Sequence, residues 1–534
     1  MKSKLTSIAL YALFLFGGIY LGIEFSSRLN LSSDKNLYIN KVNDVLNYTG
    51  NFYVDDVDLN KLSEKAIEGI FKELDPHTAY ISKQDQSESE ALFRGNFDGI
   101  GIEFQIIKDS ITVVSPISGG PSESVGILSG DRIIKIERKS CVGYSNQQVL
   151  TKLRGKKGTT VNLTIYRPSA KKEYDYKIVR ARINLYSVDA SFMFDKETGY
   201  IILTRFSDST MEELEKSLQE LTSRGMKNLI LDLRNNPGGL LDQAVFVSDL
   251  FLDKNKLIVS TKGRRKEFNE QFVAEQKYPY ENIPLIVLVN RGSASASEIV
   301  SGAIQDWDRG LIVGETTFGK GLVQRQMLLE DGSAIRLTVS KYLTPSGREI
   351  QRPYKNKEMY YDELILREEV EEDNIDHHTE ADTAKPKFKT KFGRTVLGGG
   401  GITPDYIISS GTITNYSIAL NRNNLLYRFV REFIDNGNFN KGKFTNVDEF
   451  INDFSISEKE LNSFIAFAEK NSVKLNKTEF ETDKKYISNR IKAFFARELF
   501  KDEGWYKVSL KDDKVFQKAL TLKEEAKKIP GFNK

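Results

Sequence analysis

Three serines lie close together in a run of small residues that follows an apolar strand. The run reads Asn290-Arg291-Gly292-Ser293-Ala294-Ser295-Ala296-Ser297-Glu298. A serine where a strand meets a helix lies beside the free N–H groups of the helix N-terminus. Those groups can stabilise an oxyanion, so the serine can act as a nucleophile. Ser295 and Glu298 also fit a capping box, and the segment alone favours capping over catalysis. The residue types do not select among Ser293, Ser295 and Ser297.

A nucleophilic serine needs a base, and the chain has only three histidines to supply one. His77 follows the helix-ending pair Asp75-Pro76, where a local hydrogen-bonding role is favoured over a catalytic one. His377 and His378 are neighbours in a polar stretch. Adjacent residues do not face one site, which argues against a metal pair. No histidine therefore completes a persuasive Ser-His-Asp triad.

Lys320 is the alternative base, because burial can hold a lysine amine neutral. It follows a predicted strand and lies among small and apolar residues, in the stretch Thr316-Thr317-Phe318-Gly319-Lys320-Gly321-Leu322-Val323-Gln324. Two plainer interpretations stay open at this point: a surface turn residue between two glycines, and a phosphate-binding lysine. The Gly-x-x-x-x-Gly-Lys-Ser/Thr pattern of phosphate-binding loops is absent.

The composition indicates a globular chain of several domains. The 534 residues are 40% hydrophobic and 28% charged, which excludes a wholly disordered chain, a collagen-like fibre and a polytopic membrane protein. The 77 Lys+Arg against 74 Asp+Glu give a net charge of +3, so no basic field indicates nucleic-acid binding. The single cysteine, Cys141, excludes an internal disulfide framework and a Cys-rich zinc module.

The N-terminal residues 1–38 are predicted to be a membrane anchor or signal segment and a linker. Residues 5–23 carry no charge, are mostly apolar and are long enough to span a bilayer. A cleaved signal or a buried helix are the alternatives, but no convincing cleavage site follows. Lys2 and Lys4 precede the segment and place the rest of the chain on the non-cytoplasmic side. We therefore expect the protein on the extracytoplasmic (periplasmic) side of the inner membrane.

Four further regions are predicted, giving a multidomain α/β (α+β) protein. Residues 39–93 have helical periodicity, and 94–182 consist of short β-rich runs. Residues 183–411 alternate strands and helices, which implies a mixed α/β core with loops gathered at the strand ends. A charged insert at 354–394 is interpreted as a solvated segment, with a regulatory flap as the alternative. Residues 412–534 form a C-terminal helical domain with aromatic stripes.

The region 94–182 resembles a protease-associated PDZ domain. The resemblance rests on the loop Gly99-Ile100-Gly101-Ile102, the Gly130-Asp131 turn and the stretch 153–158. Backbone N–H groups of a glycine loop can hold a carboxylate, and the neighbouring strand edge can accept an extended peptide. The loop is therefore predicted to bind peptide termini; a tight turn without binding is the plainer alternative.

Taken together, the motifs resemble those of the carboxyl-terminal processing peptidases, or tail-specific serine proteases. The match covers about residues 40–410. It includes the two segments around Ser295 and Lys320, together with Leu74-Asp75-Pro76-His77, Leu231-Asp232-Leu233-Arg234-Asn235-Asn236-Pro237-Gly238-Gly239, Tyr342-Leu343-Thr344-Pro345-Ser346-Gly347 and Gly401-Ile402-Thr403-Pro404-Asp405. The resemblance implies that Ser295 is the nucleophile, Lys320 the general base and Gln324 the residue that orients the lysine. It also implies an oxyanion hole made by backbone N–H groups of Gly238, Gly239 and Ala296.

The resemblance implies a serine endopeptidase with a Ser/Lys dyad and no metal or nucleotide cofactor. Its expected substrates are extracytoplasmic polypeptides with free C-termini, held by the PDZ-like domain. The other expected contact is with the membrane, through the N-terminal segment; a homo-oligomer or an adaptor protein stays open as a partner. The alternatives are a catalytically silent PDZ-based adaptor and an esterase of small substrates.

Overall fold

The computed structural model describes residues 33–529, apart from Ser118, Ser169, 355–356, Glu358 and 367–384. The predicted anchor at 5–23 and the His377-His378 pair lie outside the described residues. Within the described part of the chain, no helix is both long and apolar enough to cross a membrane. The described helices and sheets confirm the predicted multidomain α/β (α+β) class.

The N-terminal region contains three helices and one short strand. They are α1 (Ser33–Phe52), α2 (Leu59–Lys72), β1 (Ala79–Ile81) and α3 (Lys83–Arg94). The Asp58 side chain accepts from Lys61 N and begins α2, and the turn at Asp75 follows its end. The sequence predicted only helices here, because a three-residue strand is too short to give a periodic signal.

Residues 96–184 form the PDZ-like domain. Its elements are β2 (Asn96–Gly99), β3 (Ile102–Ile107), β4 (Ser110–Pro116), α4 (Pro121–Ser124), β5 (Arg132–Ile136), β6 (Lys139–Ser140), α5 (Asn146–Leu153), β7 (Thr160–Arg167), β8 (Lys172–Val179) and β9 (Ala181–Asn184). The main sheet has the order β3-β4-β5-β7-β8, with β6 paired to β5. Strands β2 and β9 pair with each other where the chain enters and leaves the domain. Buried aliphatic residues from the sheet and from α5 form one core. Within the described residues, β3 pairs only with β4, so its other edge is unpaired.

The central region contains a parallel sheet and an antiparallel sheet. Its strands are β10 (Val188–Met193), β11 (Thr198–Leu203), β12 (Asn228–Asp232), β13 (Leu257–Gly263), β14 (Gln271–Val273), β15 (Leu285–Val289), β16 (Leu311–Gly314), β17 (Leu322–Leu328), β18 (Ala334–Leu343), β19 (Lys387–Lys389), β20 (Thr395–Leu397) and β21 (Tyr406–Ile407). Its helices are α6 (Thr210–Ser223), α7 (Leu241–Asp249), α8 (Ala296–Asp306) and α9 (Asp362–Leu366), with a 3₁₀ turn at Lys266–Phe268.

The parallel sheet has the order β10-β11-β12-β15-β16-β21, and only β10 runs antiparallel to its neighbour. Because β12, β15 and β16 are parallel, the loops that follow them meet at one edge of the sheet. The second sheet has the order β1-β18-β13-β14, with β17 also paired to β18. Strand β1 of the N-terminal region therefore lies beside the hairpin that follows Lys320.

The C-terminal region is helical. Its helices are α10 (Asn415–Arg422), α11 (Leu425–Asp435), α12 (Val447–Asp453), α13 (Glu458–Lys470), α14 (Lys477–Leu510), α15 (Lys514–Thr521) and α16 (Lys523–Ala526), with a 3₁₀ turn at Lys441–Lys443. Most of them enclose an aromatic-rich core, and α14 is kinked at Phe500 and Lys501. The last two helices pack instead against the parallel sheet, where Phe516 contacts Tyr200 and Phe194.

The described residues of the 354–394 insert are not simply solvated. Tyr360 is fully buried, and its ring contacts Phe318 and His77. Arg394 pairs with Asp308 and Asp405 on the core. The sequence interpretation followed the high charge of the insert, whereas aromatic and arginine side chains within it provide the packing.

Candidate active site

The structure separates the three serines of the loop before α8. Ser293 donates its hydroxyl to the carbonyl oxygen of Leu233 (2.8 Å), and Ser297 donates to that of Asn236 (3.0 Å). Both serines are fully buried, and these bonds hold the loop against the turn after β12. Ser295 is the only one of the three that retains exposure. The geometry therefore favours Ser295 as the accessible hydroxyl, a choice that the residue types alone did not make.

The backbone of Ser295 adopts a left-handed conformation, with φ 54° and ψ −111°. Such a conformation is costly for a residue with a Cβ atom, so the surrounding structure must hold it. The Tyr342 hydroxyl donates to the Ser295 carbonyl oxygen (3.2 Å). Gly238 packs so closely that a Cβ atom there would lie 2.8 Å from Ser295 Cβ. The serine is thus held at a sharp strand-to-helix turn, with a glycine backbone against its side chain.

Glu298 joins the serine loop to the lysine loop. Its Oε2 accepts hydrogen bonds from the backbone N–H groups of Ser295 (2.8 Å) and Lys320 (2.9 Å). Its Oε1 accepts from Thr317 Oγ1 (2.6 Å) and Gly319 N (2.7 Å). The carboxyl group is fully buried, and desolvation raises its pKa despite these four bonds. The sequence showed Glu298 as a capping residue, and its second role with the lysine loop was missed.

Lys320 contacts this shared carboxylate through its backbone N–H, and the residue is half-buried. Desolvation is the main cause that lowers the pKa of Lys320 below its ordinary value, and the positive charge of Arg336 lowers it further. The negative charges of Glu298 and Asp75 oppose that shift. Burial therefore favours the free amine, which is the form a general base requires.

Gln324 lies near the start of β17 and follows Lys320 in the chain. Its Nε2 donates to the carbonyl oxygen of Leu322 (3.3 Å) and to Thr338 Oγ1 (3.4 Å). These acceptors fix the amide nitrogen, which leaves the carbonyl oxygen Oε1 as the acceptor end of the side chain. The predicted role of Gln324 in orienting the lysine stays a prediction.

The three predicted oxyanion donors differ in the structure. Gly238 N donates to Asn236 Oδ1 (2.9 Å), so this N–H is already engaged. Within the described residues, the N–H groups of Gly239 and Ala296 have no acceptor. Gly239 lies in the turn after β12, whose neighbouring Gly238 packs on Ser295, and Ala296 is the first residue of α8. They are the better candidates to bind an oxyanion.

A buried ion network holds the turn that carries these glycines. Asp232 and Arg234 pair at 2.6 Å, and Arg234 also pairs with Asp513 at 2.6 Å. Tyr200 donates its hydroxyl to Asp232 (2.8 Å). The pKa of Arg234 is raised well above its ordinary value, because the two carboxylates outweigh the desolvation that opposes them. Asp513 precedes α15, so the C-terminal region contributes to the support of this turn.

His77 lies beside the lysine loop rather than at a remote helix end. Its Nε2 is 3.2 Å from the Tyr360 hydroxyl, and its ring contacts Phe318. Desolvation, followed by the charge of Lys320, lowers the pKa of His77 to about 4. The ring is therefore neutral at physiological pH. The sequence interpretation as a local hydrogen-bonding residue did not place it next to the lysine.

The predicted peptide-binding residues form the loop before the unpaired edge strand β3. Ser122 donates to the Ile100 carbonyl oxygen from both N (3.1 Å) and Oγ (2.7 Å), and Gly101 has φ 73°. Gly99 ends β2 and Ile102 begins β3. An unpaired strand edge beside such a loop is the arrangement at which an extended peptide can add as a further strand. Peptide binding by these residues stays a prediction, as do the catalytic roles of the dyad.

No group of three or more His, Cys, Asp and Glu side chains that could hold a metal ion occurs among the described residues.

Three segments of the chain match known family models. Residues 197–356 match peptidase family S41, residues 99–178 match the PDZ domain, and residues 416–502 match a family of unknown function, DUF8443. The first match contains both the serine and the lysine loops.

The chain is also similar to named proteins. A "Carboxy-terminal-processing protease" of Bartonella bacilliformis is 38% identical over 348 residues, which cover 64% of this chain and 80% of that protein. A "Probable CtpA-like serine protease" of Staphylococcus aureus is 38% identical over 325 residues, which cover 61% of this chain and 64% of that protein. A solved PDZ domain of a carboxy-terminal protease from Vibrio cholerae, in complex with a peptide, is 31% identical. It covers 17% of this chain and 99% of that one, with a TM-score of 0.16.

Proposed function

Because the chain belongs to the carboxy-terminal-processing protease family of serine-type peptidases, we propose that it is an endopeptidase with a Ser295/Lys320 dyad. The observation that carries the proposal is the shared carboxylate oxygen of Glu298, which accepts from the backbone N–H groups of both residues. Two loops that are distant in sequence are thereby held together at one edge of the parallel sheet.

In the proposed mechanism, the free amine of Lys320 accepts the proton of the Ser295 hydroxyl. The serine oxygen then attacks a peptide carbonyl and forms an acyl-enzyme. The N–H groups of Gly239 and Ala296 stabilise the negative charge on the tetrahedral oxygen. The lysine returns the proton to the leaving amine, and water hydrolyses the acyl-enzyme after activation by the same lysine.

The PDZ-like domain supplies substrate binding in this proposal. The loop Gly99–Ile102 holds a free C-terminal carboxylate, and the upstream residues of the substrate pair with the unpaired edge of β3. Binding at this second site raises the effective concentration of the polypeptide at the dyad. The family match of residues 99–178 to PDZ domains supports this role.

The proposed location is the extracytoplasmic side of a membrane, with residues 5–23 as the anchor. This part of the proposal rests on the apolar span and its basic flank in the sequence. A fusion of residues 1–38 to a reporter active only outside the cytoplasm tests it. Reporter activity in the membrane fraction supports the anchor, and reporter activity in the soluble fraction outside the cytoplasm indicates a cleaved signal.

The enzymatic proposal is tested by cleavage of an unfolded reporter with a free apolar C-terminus. Wild type, Ser295→Ala and Lys320→Arg are compared, since arginine keeps the positive charge but cannot supply a free amine. We expect cleavage by wild type only. An amidated reporter should be cleaved more slowly, because the amide lacks the terminal carboxylate.

Three outcomes would contradict parts of the proposal. Cleavage by Ser295→Ala, with contaminating protease excluded by an active-site label, would identify a different nucleophile. Tight binding of the reporter by wild type without cleavage would favour the peptide-binding adaptor. Hydrolysis of small esters but not of polypeptides would favour the esterase.

A further inference from the structure

The turn at Asp75 lies against the catalytic hairpin although it precedes the PDZ-like domain. Asp75 Oδ1 accepts from the backbone N–H groups of His77 (2.9 Å) and Thr78 (3.0 Å). Asp75 Oδ2 accepts from Thr78 Oγ1 (2.7 Å). The next residues form β1, which pairs with β18 so that Ala79 lies opposite Arg336. This pairing brings the N-terminal turn to the lysine.

A chain of polar side chains leads from this turn to Gln324. The Thr78 hydroxyl oxygen lies 3.4 Å from Thr338 Oγ1 and also accepts from Thr338 N (3.3 Å). Gln324 Nε2 donates to Thr338 Oγ1 (3.4 Å), and the two residues are paired in register on β17 and β18. The carboxylate, the two hydroxyls and the amide thus connect the turn before β1 with strands β18 and β17.

The carboxylate sets the direction of this chain. Hydrogen bonds lower the pKa of Asp75 although desolvation raises it, so the group is an anion that only accepts. Thr78 must therefore donate towards Asp75, and the threonine oxygens are left as acceptors. The Thr338 oxygen therefore accepts from the NH₂ group of Gln324, and the carbonyl oxygen of the same amide points away from Thr338. An amine needs this oxygen as its acceptor.

Charged groups from three elements face Lys320. Arg336 lies on β18, Glu298 on α8, and Asp75 on the turn before β1. His77, on the same turn as Asp75, is neutral at physiological pH. Asp75 is therefore one of two anions that act on the lysine, and it is the one that does not bind the lysine backbone.

We propose that Asp75 is a positioning residue for the general base, acting on Lys320 by its charge and on Gln324 through Thr78 and Thr338. The inference rests on the proposed Ser295/Lys320 mechanism. It assigns the segment before the PDZ-like domain a share in the catalytic apparatus, because the hydrogen bonds that orient Gln324 begin there.

Asp75→Asn tests the direction of the chain. The asparagine keeps an oxygen for the two backbone N–H groups but offers an NH₂ group to Thr78. The hydroxyls then reverse, and the Gln324 amide presents the wrong end to Lys320. We expect kcat to fall about 10- to 100-fold with KM unchanged. Loss of the negative charge should also move the acid limb of the kcat/KM profile to lower pH, because the ammonium form loses a stabilising anion.

The chain offers a matched control at Asp195. Its Oδ1 accepts from Glu197 N (2.8 Å) and Thr198 N (2.7 Å), and its Oδ2 accepts from Thr198 Oγ1 (2.9 Å). The turn repeats these three hydrogen bonds of the Asp75 turn, and Asp195 also pairs with Lys523 (3.2 Å). It leads into β11, on the other sheet. Asp195→Asn should leave kcat and the pH profile unchanged.

Thr338 provides a second variant in case Asp75→Asn does not fold. Thr338→Val removes the hydroxyl and keeps the shape, and we expect the same loss of kcat. Thr338→Ser restores the hydroxyl and should recover kcat. Recovery of kcat by serine separates positioning of Gln324 from packing in β18.

The outcomes distinguish this inference from the proposed function. Full activity of Ser295→Ala or Lys320→Arg would refute the dyad and, with it, this proposal. Loss of activity in both, together with a wild-type kcat and pH limb in Asp75→Asn, would refute the role of Asp75 alone. Equal losses in Asp75→Asn and Asp195→Asn, without a shift of the limb, would indicate only a structural turn.

Discussion

Two capping boxes in this molecule share one sequence pattern and differ in backbone conformation. Before α13, Ser457 has φ −77° and ψ 162°, and its hydroxyl accepts from Glu460 N (3.4 Å). Before α8, Ser295 has φ 54° and ψ −111°, and Glu298 N donates instead to the Ser295 carbonyl oxygen (2.8 Å). In both boxes the glutamate accepts from the serine N–H.

The comparison shows that the capping-box sequence alone does not determine the backbone conformation of its serine or the further contacts of its glutamate. The Ser457 box is exposed, and its hydrogen bonds stay within one helix end. Glu298 is fully buried and also binds the lysine loop, while Gly238 presses on the serine. A left-handed non-glycine residue costs about 1–3 kcal/mol, and only a packed site maintains it.

The largest expected contrast is between alanine substitutions of the two serines. Ser295→Ala should reduce peptide cleavage by about 10³-fold or more, because the nucleophile is lost. Its free energy of unfolding should change little, because Glu298 N donates to the backbone. Ser457→Ala should keep full activity and lose about 1 kcal/mol of stability. Reporter cleavage and urea unfolding measure the two effects, and equal activities would end the functional distinction.

The second contrast is between the glutamates. Glu298→Gln replaces one carboxylate oxygen with an NH₂ group, so two of the four hydrogen bonds to this buried side chain lose their acceptor. We expect activity to fall about 100-fold and the free energy of unfolding to fall by about 1–3 kcal/mol. Glu460→Gln should be nearly neutral, since glutamine completes the same box at Ser145 and Gln148. Comparable behaviour of the two variants would show that Glu298 only caps its helix.

The third contrast concerns pH and two lysines. The folded pKa of Lys320 lies below its ordinary 10.5, mainly through desolvation. Between these values the unfolded chain binds a proton that the folded chain lacks, so stability rises with pH in that window. Cleavage should rise as the pH passes through the folded pKa, at the lower end of that window, because the free amine forms there.

Lys320→Met removes an amino group whose charged form is disfavoured by desolvation in the folded state, so the variant should be inactive and melt at a higher temperature at neutral pH. The control is the half-exposed Lys484, which pairs with Glu458 beside the second box. Lys484→Met should not gain stability. A lower melting temperature for Lys320→Met would show that the folded state does not disfavour the lysine charge.

The smallest expected effect is on backbone strain. Ser295→Gly should raise the free energy of unfolding by about 1 kcal/mol, because glycine tolerates φ 54° without a Cβ clash. Ser457→Gly should lower it by about a few tenths of a kcal/mol. Chemical denaturation resolves the sign, and a loss of stability in both variants would argue against strain at Ser295.

Part of the site follows from the sequence by simple topology. The loops after β15 and β16 carry Ser295 and Lys320, and parallel neighbouring strands bring such loops to one edge. The serine choice needed the structure, because Ser293 and Ser297 differ from Ser295 in their burial and in what their hydroxyls bind. The sequence shows three serine hydroxyls but does not show which backbone carbonyl oxygens they bind.

Other parts of the site depend on contacts without a local pattern. The approach of Asp75 and His77 to the lysine depends on β1, whose three residues have no readable periodicity. Tyr360 lies in a stretch dominated by charge, yet it is buried against the lysine loop. Glu298 completes a capping box, so its sequence context gave no reason to expect a second partner.

The position of α15 and α16 has a consequence for how the protein is made. These helices cover one face of the parallel sheet, and Asp513 supports the turn that holds Gly238 and Gly239. During synthesis, residues 183–411 leave the ribosome long before residues 513–526 can reach them. The face of the parallel sheet is therefore covered, and the turn with Gly238 and Gly239 supported, only after residues 513–526 have been synthesised.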